Sequence, residues 1–291
     1  MLIKRNVLKL ANLHQFYLDT NKAKINNINY LKSKYKNLSK DDEISSSEFQ
    51  IYSQNGEDGV ILYILNEIIG AQQTKCLEIG SGGNSSNILN LNLNFGFESY
   101  FLDGSKEALD SFKNLTKNNI NKDKKNGKSH FIEMMLTIEN IDELDKKLDL
   151  RSLLVCSLDI DGIDYYIFNK LLDYEIPLIV CEYNSFFSIS NKYTVPYSDN
   201  FSRYSYHSSS LVFGAALDAL EYVASKNNYS LIYCENNGVN AFFVNNNYLS
   251  DQLKPKAPSE VYKKNFKYKD ISHKNFLTDE ILSLLVSVDN L

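Results

Sequence analysis

Two groups of side chains in this 291-residue chain have the types and spacing to do chemistry. The first follows an apolar run, Cys76-Leu-Glu-Ile-Gly-Ser-Gly-Gly-Asn84, with Asp103 placed 23 residues after Gly80. Glycines at 80, 82 and 83 let backbone N–H groups come close to a ligand. An acid closing the next strand can grip a ribose diol, so the pairing describes a nucleotide-type site. The second group is acidic: Asp159, Asp161 and Asp164, then Glu182 and Asn184 after the next apolar run. A carboxylate there can take the proton of a hydroxyl nucleophile, with Asp161 and Glu182 the candidate bases. The oxygen donors Asp159, Asp161, Glu182 and Asn184 can instead hold a hard cation, Mg²⁺ or Mn²⁺, which would acidify the same hydroxyl. Asp161 or Asp164 can equally do no more than cap the helix that follows. His207, in the polar stretch Tyr204-Ser-Tyr-His-Ser-Ser-Ser210, is a further candidate base, because histidine exchanges protons near neutral pH.

Positioning these residues takes an alternation of strands and helices. Apolar residues at 60, 61, 63, 64 and 68 recur at helical spacing and predict a helix over 56–69. Strands follow at 75–79, 99–103, 130–134, 153–159 and 178–182. Helices over 85–95, 106–118, 138–148 and 164–172 separate them. Residues 183–208 form a long loop rich in Tyr, Phe, Ser and Asn, and loops of this length are usually functional or disordered. A helix over 209–226 leads to strands at 230–234 and 241–244, joined through Asn236-Asn-Gly238, a hairpin signal. The pattern is that of a Rossmann-like, doubly wound seven-stranded α/β sheet with an antiparallel last strand. Three regions result: a helical N-terminal extension at 1–48, the α/β domain at 49–250, and a tail at 251–291 with a short amphipathic helix at 278–286. The extension is a candidate dimerisation arm, a substrate lid or a solvated appendage.

Composition narrows the function class. A net charge of −5 with the 31 Lys and Arg scattered along the chain argues against nucleic acid as the partner. The four cysteines each sit inside an apolar run and form no C-x-x-C pair, which points to core packing and a reducing cytoplasm. With no apolar stretch of about 18 residues, no membrane-spanning helix is expected. The opening residues carry no secretory leader pattern. A small-molecule substrate is therefore the expectation.

The glycine turn leaves two cofactors open. A dinucleotide fingerprint reads G-x-G-x-x-G, and Ser85 stands at its third glycine. The alternative, S-adenosylmethionine, carries no phosphate. Leu77-Glu78-Ile79-Gly80-Ser81-Gly82 resembles motif I of class I methyltransferases, and Asp103 stands where that family has its ribose-binding acid. Ser53-Gln-Asn-Gly-Glu-Asp58, Leu158-Asp-Ile-Asp-Gly162, Cys181-Glu-Tyr-Asn184 and Gly238-Val-Asn-Ala-Phe-Phe-Val244 resemble bacterial FkbM-like methyltransferases of surface-glycan loci. The resemblance covers residues 50–250. It implies an S-adenosylmethionine-dependent O-methyltransferase acting on a capsule polysaccharide precursor, at a sugar or phosphoramidate group. Gln54 and Glu57 would border the cofactor's methionine end, beside Glu78, Gly80 and Gly82. Asp103, Gly104 and Ser105 would meet its ribose, Met134 its adenine, and Asp159 its reactive side. Met134 can equally be core, and the acids at 57 and 58 can simply serve the helix dipole. The competing readings are an NAD(P)-dependent sugar-nucleotide oxidoreductase and a catalytically inactive binding module of the same fold.

Overall fold

The computed structural model describes residues 44–119, 126–265 and 272–291. The expected N-terminal extension therefore lies outside the described residues, apart from a 3-10 turn at Ile44–Ser47. In chain order come α1 (Glu57–Glu67), β1 (Lys75–Ile79), α2 (Leu89–Phe95), β2 (Glu98–Asp103), α3 (Lys106–Asn119) and β3 (Ser129–Glu133). Next are α4 (Ile141–Leu148), β4 (Leu153–Leu158), α5 (Asp164–Leu171) and β5 (Leu178–Glu182). The long loop holds β6 (Tyr193–Thr194) and α6 (Arg203–Tyr206) and leads to α7 (Leu217–Lys226), β7 (Tyr229–Cys234) and β8 (Asn240–Asn245). The tail holds α8 (Pro258–Val261), α9 (His273–Phe276), α10 (Asp279–Ser283) and β9 (Val286–Ser287).

The main sheet has seven strands in the order β3-β2-β1-β4-β5-β8-β7. β1, β2 and β3 pair in parallel, and β8 runs antiparallel to both β5 and β7. This is the doubly wound, Rossmann-like sheet with its last strand reversed, and that strand is inserted one place in from the edge. The chain divides into two compact units. Among the described residues, the first comprises 44–119, 126–135, 152–157 and 248–253, and the second comprises the others.

In the first unit α1 is buried along its whole length, so it shows no polar face. In the second, the β7–β8 hairpin is fixed by Glu235. Its fully buried carboxylate accepts the N–H groups of Asn237, Val239 and Asn240. β8 carries Phe242 and Phe243 on opposite faces, and both are shut off from solvent. A central strand covered on both faces reads as continuously apolar, which is why 241–244 shows no alternation.

Two expectations are corrected. The helix expected from 209 begins only at Leu217. The backbone of 209–216 is spent elsewhere: Leu211 and Phe213 carbonyls bind the Asn184 amide, Gly214 N–H binds Gly162, and Thr194 bridges Ala215. The tail is also more than one helix, because β9 pairs with β6 and ties residues 286–287 to the long loop. Truncating Phe243, which packs 4.8 Å from Phe168 between ring centroids, should cost about 3–5 kcal/mol. Denaturant midpoints of Phe243→Ala against the parent check this, and a cost under about 1 kcal/mol would contradict it.

Candidate active site

The glycine turn of the first unit is held down on β2. Gly80, at φ +93°, and Ser81 both donate to the Leu102 carbonyl, at 2.8 and 3.0 Å. A Cβ on Gly82 would lie 2.6 Å from Asp103 Oδ2 and 2.8 Å from the Ala108 methyl, so only a bare Cα fits. Asp103 is half-buried, its Oδ1 accepts the Ser105 N–H at 2.7 Å, and its Oδ2 lies against Gly82. Ser105 in turn accepts the Ala108 N–H at the head of α3. This brings Gly80, Gly82, Asp103, Gly104 and Ser105 together, as the spacing implied.

The remaining first-unit residues are placed differently. Glu78 is buried and faces the loop ahead of α2, where it accepts the Ser86 hydroxyl and the Asn87 N–H. Glu57 is buried on the backbone and side-chain amides of Asn55, while Gln54 is exposed. Met134 is half-buried just past the end of β3. Its neighbour Met135 is 62 % exposed, with its Cε 2.8 Å from where a Gly104 Cβ would be. Met135 thus offers an exposed apolar side chain next to Gly104. β3 ends at Glu133, one residue earlier than expected, and leaves both methionines beyond the strand.

Asp58 organises the run ahead of α1. Its Oδ2 accepts the N–H groups of Ile51, Tyr52 and Ser53 and the Ser53 hydroxyl, each at 2.8 Å. Its Oδ1 is buried without a partner. Burial outweighs these donors and pushes the carboxyl from 3.8 up to about 6.

In the second unit, Asp159, Asp161 and Glu182 place carboxylate oxygens within 4.8 Å of one another. Asp159 and Glu182 are hydrogen-bonded, which requires one shared proton. Burial first, then the neighbouring carboxylates, raises both above the ordinary carboxylate range. Glu182 Oε2 is closed to solvent and has no hydrogen-bond partner. Asp164 does not cap α5. It ties the loop in front of it, accepting Ile160 N–H at 2.9 Å and Gly162 N–H at 2.8 Å, and burial pushes it up to about 6. Asp161 sits in the left-handed region at φ +53° and forms an ion pair with Arg203.

Asn184 is not turned toward the acids. Its amide nitrogen donates to Leu211 and Phe213 carbonyls and its oxygen accepts Phe186 N–H at 2.9 Å, so it anchors the long loop. His207 lies against Ser209 at 2.8 Å and 3.9 Å from Glu280 of α10, and no contact joins it to the acid group among the described residues. A hard cation would therefore draw on Asp159 and Glu182, with Asp161 already carrying a guanidinium. Mg²⁺ commonly takes one or two carboxylates and keeps waters, but an adjacent positive charge opposes it. Arg203, 42 residues from Asp161, was not marked by the sequence as part of this group, and no periodicity links the two.

No family model matches the sequence, and no curated protein matches it. Solved structures similar to this chain include the bifunctional kinase-methyltransferase WbdD, at 13% identity and TM-score 0.35, over 60% of this chain and 35% of that one. An O-methyltransferase family protein from Burkholderia thailandensis is similar at 10% identity and TM-score 0.35, over 60% and 51%. M. capricolum TrmK in complex with S-adenosyl-homocysteine is similar at 16% identity and TM-score 0.35, over 74% and 80%. The chain thus spans 35% and 51% of the first two of these. Likenesses this distant carry nothing about substrate or cofactor.

The buried Asp58 gives a pH signature. Its folded pKa lies above the ordinary 3.8, so the stability linked to its protonation is fully present below about pH 4 and is lost as pH rises to about 6. The melting temperature of Asp58→Asn relative to the parent should therefore rise between pH 4 and 7. A difference independent of pH would contradict it.

Proposed function

We propose that the chain is an S-adenosylmethionine-dependent O-methyltransferase acting on a surface-polysaccharide (capsule) precursor, with the Asp159–Glu182 pair as proton acceptor. The head of α2 carries the choice of cofactor. In a dinucleotide fold, the helix after the glycine turn opens on a pyrophosphate. Here α2 opens at Leu89 and the N–H groups ahead of it are already filled. Glu78 takes Asn87 N–H, and the Ser86 hydroxyl takes those of Ile88 and Leu89 at 3.3 and 3.0 Å. A carboxylate in the phosphate's place repels a second anion. This arrangement supports a nucleoside cofactor without phosphate over NAD(P).

S-adenosylmethionine, when bound, supplies an electrophilic methyl group on a sulfonium sulfur. Gly82 and Asp103 Oδ2 would hold the ribose, and Met135 would cover the adenine. The ionised half of the Asp159–Glu182 pair would accept the acceptor's proton as the oxygen–methyl bond forms and the sulfur–methyl bond breaks. The acceptor favoured is a sugar hydroxyl more than a phosphoramidate. Lys192 and Arg203, the cations available in the long loop, are already paired with Asp289 and Asp161. An anionic group would meet carboxylates instead. Tyr204, 76 % exposed, offers a flat face to a sugar ring. Other aromatics of that loop, Tyr183, Phe186 and Phe187, are buried anchors.

Calorimetric titration with S-adenosylmethionine tests this reading. The parent chain should bind it, and Gly82→Ala, whose new methyl would crowd Asp103 Oδ2 at 2.6 Å, should bind about tenfold or more weakly, a loss of at least ~1.4 kcal/mol. Equal affinity in the two proteins would remove the glycine turn from the cofactor site.

A further inference from the structure

We propose that Arg203 is the resident cation of the acid group, a positioning residue that takes the place a divalent metal would otherwise fill. The proposal rests on reading Asp159, Asp161 and Glu182 as the chemical centre. Arg203 is held from three directions. Its Nε donates to the Ser210 carbonyl at 2.7 Å, its guanidinium carbon lies 3.6 Å over the Phe213 ring, and a terminal nitrogen meets Asp161. Its side chain is only 16 % exposed, although it belongs to a four-residue helix in a loop. Its partner Asp161 is 44 % exposed, whereas both sides of Arg151–Glu175 are more solvated, at 59 % and 66 %, and pairs of that kind are worth little.

Arginine suits this task and lysine does not. A planar guanidinium can stack on a ring and point its donors in fixed directions at the same time. The carboxylate it grips sits on a strained backbone: Asp161 holds φ +53°, a conformation that costs a non-glycine residue about 1 kcal/mol or more. Among the described residues, Arg203 is the one cation paired with any of the three acids. It neutralises Asp161, which would otherwise stand within 4.8 Å of two more carboxyls. A dication would have to compete with it for the same oxygen, and Asn184, the other expected oxygen donor, is spent on the backbone. The arrangement gives the acid group a counter-charge that cannot dissociate and keeps Asp159 and Glu182 free of a metal.

Mn²⁺ binding to the full chain, followed by electron paramagnetic resonance, tests this with four proteins: the parent, Arg203→Gln, Arg203→Lys and Arg203→Gln/Asp161→Asn. Glutamine keeps a donor for Ser210 and cover for Phe213, and circular dichroism reports folding. Arg203→Gln should bind Mn²⁺ about tenfold or more tightly than the parent, as expected when a positive charge a few ångströms away is removed. Adding Asp161→Asn should abolish the gain, and Arg203→Lys, which keeps the charge but loses the stacked fork on Phe213 and Ser210, should fall between the parent and Arg203→Gln. Equal Mn²⁺ affinity in the parent and Arg203→Gln overturns the proposal, as does a gain that survives Asp161→Asn. S-adenosylmethionine affinity of the same proteins, read separately, tests the transferase reading, so the two can fail independently.

Discussion

Backbone N–H groups in the loops at the ends of elements have no ladder to join, and each must still find an acceptor. This chain meets that constraint with buried carboxylates. Asp58 takes three N–H groups ahead of α1, Glu78 takes one ahead of α2, and Asp164 takes two ahead of α5. Glu235 takes three in the β7–β8 turn. Each acid fixes the path of a loop that an uncharged residue would leave underdetermined. Removing any one would leave one to three backbone donors unpaired, at roughly 1–3 kcal/mol for each that is buried.

That pattern separates the structural acids from the candidate chemical ones. Asp159 and Glu182 lie at the ends of β4 and β5, yet among the described residues no backbone N–H satisfies them. They share a proton with each other, and one Glu182 oxygen has no partner. Acids held without donors are unstable in a fold unless something else uses them, which is the usual state of groups that move protons. The same logic redirects Glu78. A buried carboxylate at the head of α2 serves the loop, accepting the Ser86 hydroxyl and the Asn87 N–H.

Much of the fold was legible because buried parallel strands are short apolar runs between polar turns. Lys75–Ile79 and Leu178–Glu182 fall where the sequence placed them. The glycine turn and Asp103 were legible for the same reason: a glycine needed for close approach leaves a fixed spacing. What was hidden depends on contacts far apart in sequence. The helix start at Leu217 is set by Asn184, Gly162 and Thr194, none of which is local. The tail finds its partner in Tyr193–Thr194. Met134 and Met135 differ in exposure because β3 ends at Glu133, one residue earlier than the sequence placed it. Glu57, Asn184 and His207 had the right chemistry for a site, but the direction a side chain takes is decided by its neighbours.

The central claim is that the glycine turn and Asp103 receive a nucleoside cofactor without phosphate. Equilibrium dialysis of the full chain against S-adenosylmethionine and, separately, NAD tests it most directly. The account predicts retention of S-adenosylmethionine and none of NAD. Retention of NAD with no binding of S-adenosylmethionine would contradict it.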